Sequence, residues 1–260
     1  MKWELWAPKY LEIAERLRID KKADLRAAAV LESLLPEPDI AGLTKIVRGK
    51  SCVVAGAGPS IQKDLENLEK YGMMRLTIIA ADGATSAVLR YKVPEIIVTD
   101  LDGNVKDQIS AWRSGAWIVV HAHGDNLEKV ERFMQTVRNG RIIGTTQTRP
   151  FGKLFNFGGF TDGDRGAFMA HELGAAKILL AGMDLGEKIG LFSGKKDPTR
   201  KIEKLKICGE LLSWLAELGA PLINITSGEN RLPSIPKMKV EELSKFFNQL
   251  FPEDSLSPDF

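Results

Sequence analysis

Between residues 51 and 181 the chain repeats one pattern, a short continuous apolar run followed by a helix-length stretch of mixed polarity. The runs lie at residues 51–55 (SCVVA), 76–81 (LTIIAA), 95–99 (EIIVT), 116–121 (AWIVVH), 141–145 (RIIGT) and 177–181 (KILLA). Unbroken hydrophobicity rich in β-branched residues is the signature of strands buried on both faces. The stretches between them, 61–71, 85–91, 127–138 and 165–173, read as helices. Strand and helix alternating this way predict right-handed βαβ units and an α/β fold, a doubly wound, mostly parallel sheet of Rossmann-like type. A long helix over 201–218, with Leu205, Cys208, Leu211, Leu212 and Leu215 on its inner face, and a strand over 221–226 follow.

Two helical patterns precede the first strand. One carries Trp6, Tyr10, Leu11, Ala14, Leu17 and Arg18 on a common face. The other carries Leu25, Ala28, Ala29, Leu31 and Leu35 before Pro36 and Pro38 stop it. The expected division is an N-terminal helical segment over 1–48, an α/β catalytic domain over 49–228 and a C-terminal extension over 229–260 with a frayed tail.

Composition narrows the partners. Lys and Arg number 36 against 34 Asp and Glu, a net charge of +2 without a block of like charge, so neither nucleic acid nor a membrane surface is an expected partner. No stretch approaches the roughly 18 apolar residues of a spanning helix. Cys52 and Cys208 lack metal-site spacing and read as packed thiols of a reducing compartment, and a cytoplasmic location is expected. A homodimer is one assembly the sequence allows.

The chemistry collects where the apolar runs end. GAGPS (Gly56, Gly58, Pro59 and Ser60) follows the first and Asp82-Gly83 the second. Asp100 and Asp102 of TDLDG follow the third, and HAHGDN, with His121, His123 and Asp125, follows the fourth. GFTDGDRG, with Asp162, Asp164 and Arg165, opens a helix, and GMD with Asp184 follows the last. C-terminal strand ends form the ligand edge of such sheets, so acids repeated there predict an active site. Asp100 and Asp102, one residue apart at a strand end, are expected on one side of the sheet, where they repel unless a cation such as Mg²⁺ lies between.

Each motif has competing readings. GAGPS fails as a dinucleotide fingerprint because Ile61 occupies the third glycine position. As a phosphate loop it offers Ser60 and free N–H groups at a helix start; as a plain strand-to-helix turn it binds nothing. IIVTDLDGNV resembles the first motif of haloacid-dehalogenase-type phosphatases, but follows two complete βα units and has Asn104 where that family has Thr. His121 and His123 have the spacing of transition-metal ligands or of hydrogen-bonding groups. Asp162 and Asp164 read either as a second DxD holding metal or ribose, with Arg165 on a phosphate, or as helix caps. The basic stretch containing Lys195, Lys196, Arg200, Lys201 and Lys204 reads as a lid over a polyphosphate or as a solvated helix start.

The ordered set GAGPS, AADGA, TDLDG, HAHGDN, GFTDGDR and GMD resembles the archaeal 6-hydroxymethyl-7,8-dihydropterin pyrophosphokinase family over about residues 48–228. That family shares a domain type with flagellin-modifying glycosyltransferase-like proteins, and its two DxD motifs are more remotely similar to those of thiamin pyrophosphokinases. The resemblance implies Mg²⁺-dependent transfer of pyrophosphate from ATP to the pterin hydroxymethyl group, releasing AMP, in folate or methanopterin biosynthesis. It implies Asp100 and Asp102 on Mg²⁺, Asp162 and Asp164 on a second metal or ribose, and GAGPS and Arg165 on phosphates. Either His123 or Asp125 then takes the hydroxyl proton. A phosphatase of the haloacid-dehalogenase type and a sugar-nucleotide binder or transferase are the alternatives.

Overall fold

The computed structural model describes residues 1–137, 140–186, 198–228 and 232–250. Its centre is an eight-stranded sheet in the order β6-β5-β4-β3-β2-β1-β7-β8, with every neighbouring pair parallel. The strands are β1 (Ser51–Ala55), β2 (Thr77–Ala81), β3 (Ile96–Thr99), β4 (Trp117–Ala122), β5 (Ile142–Thr146), β6 (Leu154–Phe155), β7 (Lys177–Ala181) and β8 (Leu222–Asn224). The apolar runs became strands because both sheet faces are covered: Val53, Val54, Ile78, Ile79, Ile97, Val98, Ile118 and Val119 are all fully buried.

Helices α1 (Trp3–Arg16), α3 (Ile40–Val47), α8 (Asp162–Glu172) and α9 (Pro198–Glu217) cover one face together with Val54, Ile79, Val98 and Val119. On the other lie α2 (Lys21–Leu34), α4 (Ile61–Lys70), α5 (Ala84–Val88), α6 (Val105–Arg113), α7 (Leu127–Thr136) and α10 (Val240–Leu250). The N-terminal helices thus share their cores with the sheet, α1 on one face and α2 on the other.

The chain steps outward from β1 to β6, then returns through α8 to place β7 on the free side of β1. The return path lays α8 across the sheet, which Gly166 permits: a Cβ there would sit 3.2 Å from Val54 Cγ1 and 3.3 Å from Ile79 Cγ2. As a crossover, α8 runs opposite to the strands and begins at their C-terminal edge.

In both N-terminal helices most of the expected inner face is buried, Trp6, Tyr10, Ala14 and Leu17 in α1 and Ala28, Leu31 and Leu35 at α2, with a few positions exchanged. In α1 Ile13 is buried and Leu11 is 50% exposed. In α2 Leu25 is 53% exposed, and the inner face is Asp24, Ala27, Ala28 and Leu31. That set keeps i, i+3, i+4, i+7 helical spacing, but starts from an acid.

Candidate active site

Three carboxylates meet at the C-terminal edge. Asp82 follows β2, Asp100 follows β3 and Asp162 opens α8, and one oxygen from each lies within 4.8 Å of the others. Asp82 Oδ1 accepts hydrogen bonds from Thr99 Oγ1 (2.8 Å), Gly103 N (3.0 Å) and the buried Gln108 Nε2 (3.0 Å). Despite these donors, burial first and the Asp100 charge second push the Asp82 carboxyl up to about 6. Asp162 Oδ1 receives the Arg165 guanidinium at 2.9 Å, and Arg165 is fixed by a second bond to the Phe160 carbonyl at 2.8 Å. Oxygen donors in partly buried, mutually repelling carboxylates fit a hard divalent cation such as Mg²⁺.

The structure places the two members of each DxD pair differently. Leu101 adopts φ +65°, so the backbone turns between Asp100 and Asp102 and strand alternation no longer sets their directions. Asp102 pairs with Lys129 at 2.5 Å and is not one of the three clustered acids. Asp164 is fully buried and accepts from Phe160 N (2.7 Å), Thr161 N (2.7 Å) and Thr161 Oγ1, the capping arrangement that starts α8. Sequence periodicity finds the DxD pairs but not the turn that separates their members.

Among the described residues three non-glycines are left-handed, Arg18, Asp82 and Leu101, and each borders this region. Such strain persists where surrounding contacts enforce it, as they do at functional sites.

Beside the acids opens a cavity of ≈ 170 Å³. Its lining joins Arg18, Asp20 and Asp24 of the N-terminal segment to Asp100, His121, His123, Gln147, Phe160, Arg165, Arg200 and Lys204. Asn126 ties its floor together, donating to the carbonyls of Asp100 and His121 at 2.8 Å each. Gly124 brings the HAHGDN loop onto α2: a Cβ there would lie 2.6 Å from that of Ala23, and Gly124 N donates to Asp24 Oδ1 at 2.8 Å. Asp24 and Gln147 escaped the sequence reading; the buried acid on the α2 apolar stripe was the available signal for Asp24.

The histidines differ. His123 Nε2 lies 3.6 Å from Asp100 Oδ2, and His123 Nδ1 accepts from Asp125 N at 3.2 Å. The acceptor role of Nδ1 leaves the ring proton on Nε2, so His123 offers the site a donor, not the lone pair of a general base. The Asp125 side chain is 73% exposed, 3.5 Å from Arg200, so its backbone N–H reaches His123 while its carboxylate faces outward. His121 is fully buried; burial first and the Arg165 charge second hold it well below the usual imidazole range, and so neutral.

GAGPS is placed differently from the phosphate-loop reading. Gly56 N donates to Ala181 O (2.8 Å), Gly58 N to Gly182 O (2.9 Å) and Ser60 N to Asp184 Oδ2 (3.0 Å). Ser60 Oγ lies 2.9 Å from Asp64 Oδ2 and 2.7 Å from Asp184 Oδ2. Pro59 has no N–H to add. The loop clamps the end of β1 to the end of β7, leaving Gly56, Gly58 and Ser60 occupied within the protein. Lys195 and Lys196, expected in the lid, fall outside the described residues. Arg200 and Lys204 border the cavity, with Lys204 Nζ 5.6 Å from the Phe160 ring centre.

Comparison with known proteins agrees with this architecture. The chain is 42% identical over 229 residues to the 6-hydroxymethyl-7,8-dihydropterin pyrophosphokinase of Methanothermobacter thermautotrophicus, covering 84% of this chain and 97% of the relative. It is 43% identical over 230 residues to the protein of that name from Pyrococcus furiosus (84% and 96% covered), and 36% identical to that from Methanocaldococcus jannaschii (83% and 95%). Among solved structures, a MAf glycosyltransferase from Magnetospirillum magneticum shares the fold with a TM-score of 0.51 at 14% identity, over 78% of this chain and 37% of that one. The profile of the family described as 6-hydroxymethylpterin diphosphokinase MptE-like matches residues 28–190, and with the three relatives it shows that the chain belongs to this family.

Proposed function

We propose that the chain transfers the terminal diphosphoryl group of ATP to the hydroxymethyl oxygen of 6-hydroxymethyl-7,8-dihydropterin and releases AMP, with Asp82, Asp100 and Asp162 holding Mg²⁺. Family membership supplies the reaction, and one observation carries its location. Three repelling carboxylates lie within 4.8 Å of one another, and one of them, Asp100, lines a cavity that Arg165 and His123 also line. A divalent cation bound there neutralises phosphate charge.

The chain's own groups supply the rest. Arg165, held by Asp162 and the Phe160 carbonyl, keeps its guanidinium at the cavity wall, where it meets phosphate oxygens without reorganising. His123 Nε2–H, beside Asp100, donates to the group in transfer. Arg200 and Lys204, on the first turns of α9, add positive charge at the cavity mouth. Phosphoryl transfer through a loose transition state needs orientation and charge neutralisation more than a strong base, which suits a site whose nearest imidazole presents a donor. The partners in this reading are two small molecules, ATP and the pterin.

ATP labelled at the γ-phosphate tests this. Label recovered in a pterin diphosphate, with AMP in equal amount, is expected; label released as free phosphate or retained on the protein contradicts it.

A further inference from the structure

We infer that Asp24 and His121 form the wall that recognises the pterin ring, by accepting hydrogen bonds from its 2-amino and ring N–H edge. The inference rests on the function proposed above and deepens it.

Asp24 is 1% exposed, yet its named hydrogen-bond donors are all uncharged: Tyr10 Oη (2.8 Å), Gln147 Nε2 (2.6 Å) and Gly124 N (2.8 Å). Tyr10 and Gln147 both address Oδ2, whereas Oδ1 takes Gly124 N. A carboxylate oxygen accommodates about two donors, so Oδ1 retains acceptor capacity.

The second observation is independent. Thr145 Oγ1 donates to the Val120 carbonyl at 3.1 Å, so its lone pair accepts from His121 Nδ1, also at 3.1 Å. This assigns the ring proton to Nδ1 and a bare lone pair to Nε2. That Nε2 is buried and makes no hydrogen bond of good geometry, although the Gln147 side chain lies beside the ring and His121 lines the cavity. A buried acceptor left without a donor is costly, and a ligand N–H would relieve that cost.

Charge selects the class of ligand. Arg18, Arg165, Arg200 and Lys204 face Asp20, Asp24, Asp100 and Asp125 across the same cavity, so its charge is balanced, and a neutral heterocycle rich in donors fits without leaving a net charge uncompensated. A 2-amino-4-oxopyrimidine ring is flat and neutral and presents adjacent N–H groups. Phe160 adds an apolar ring to the lining, and Asp100 marks the side of the cavity next to the three acids, toward which the hydroxymethyl group then points.

The test compares 6-hydroxymethyl-7,8-dihydropterin with its 2-oxo analogue, which replaces the 2-amino donor with an acceptor, by fluorescence titration in the presence of Mg²⁺ and α,β-methylene ATP. Wild type is expected to prefer the amino compound by about 10- to 100-fold, the worth of a hydrogen bond to a charged acceptor. In Asp24→Asn the preference should fall to roughly threefold or less while the Kd for the nucleotide is retained. A purely structural role would weaken both pterins equally, and that result overturns the inference. If Asp24→Asn does not fold, nitrogen-15 spectra of the three histidines in wild type decide. His121 Nε2 should move to the hydrogen-bonded acceptor position on saturation with the pterin, and an unmoved signal overturns the assignment. A wild-type protein that binds neither pterin removes the proposed function itself, a result distinct from equal weakening.

Discussion

The two halves of the sheet's C-terminal edge use the same residues for opposite ends. At β1 and β7, Asp64 and Asp184 are engaged by the protein: Asp64 accepts from Gly182 N and Ser227 N at 2.8 Å each, and Ser60 bridges it to Asp184 Oδ2. At β2, β3 and the start of α8, Asp82, Asp100 and Asp162 face one another, and the Asp82 carboxyl is pushed up to about 6. One set of acids locks two loops together; the other stores repulsion that a ligand relieves. The α/β crevice rule points to the strand-order reversal between β1 and β7, but here that point is closed by Gly58 and Ser60 and the open acids lie one to two strands away. Asp82 also accepts three hydrogen bonds, so the facing of like charges within 4.8 Å, more than hydrogen-bond count, separates the acids that bind from those that build.

Breaking the open half should cost activity and spare the fold. Asp100→Asn and Asp162→Asn each remove a cation ligand, so turnover should fall by about 10³-fold or more; the thermal midpoint should be unchanged or higher in Asp100→Asn, which relieves like-charge repulsion, and lower in Asp162→Asn, which leaves the buried Arg165 without its ion pair. Steady-state rates and melting curves on the same preparations check both. Breaking the closed half should do the reverse. Asp64→Ala leaves the buried N–H of Gly182 and the part-buried N–H of Ser227 without their acceptor and should cost about 1–3 kcal/mol in denaturant unfolding.

How far the sequence reveals this contrast depends on distance along the chain. The strands were legible because burial on both faces leaves an unbroken apolar run, and observed ends such as Ile96–Thr99 and Lys177–Ala181 fall within a residue of expectation. Asp100 and Asp162 were legible as acids at element ends. Their grouping with Asp82 instead of with Asp102 and Asp164 was not, because it follows from the turn at Leu101 and the capping of α8 by Asp164. Asp24 was hidden because its partners, Gly124 and Gln147, are 100 and 123 residues away.

Weaker effects sharpen the comparison. Without a cation, Asp82 holds its proton more tightly folded than unfolded. The stability that proton contributes is complete below about pH 4 and is lost as pH rises through about 6. In chelator, wild type should therefore lose on the order of 2 kcal/mol between those limits relative to Asp82→Asn; parallel curves would show that the site does not titrate this way. The smallest effect is expected at Asp102. Its carboxylate pairs with the half-exposed Lys129, and Asp102→Asn should lower turnover by less than about tenfold.

Counting bound Mn²⁺ by electron paramagnetic resonance, in the presence of α,β-methylene ATP, separates the two carboxylate groupings most directly. Asp82→Asn, Asp100→Asn and Asp162→Asn should each weaken Mn²⁺ binding by about tenfold or more, and Asp102→Asn and Asp164→Asn, where folded, should retain it. Loss of Mn²⁺ on substituting Asp102, with retention on substituting Asp82 or Asp162, would contradict the three-acid site.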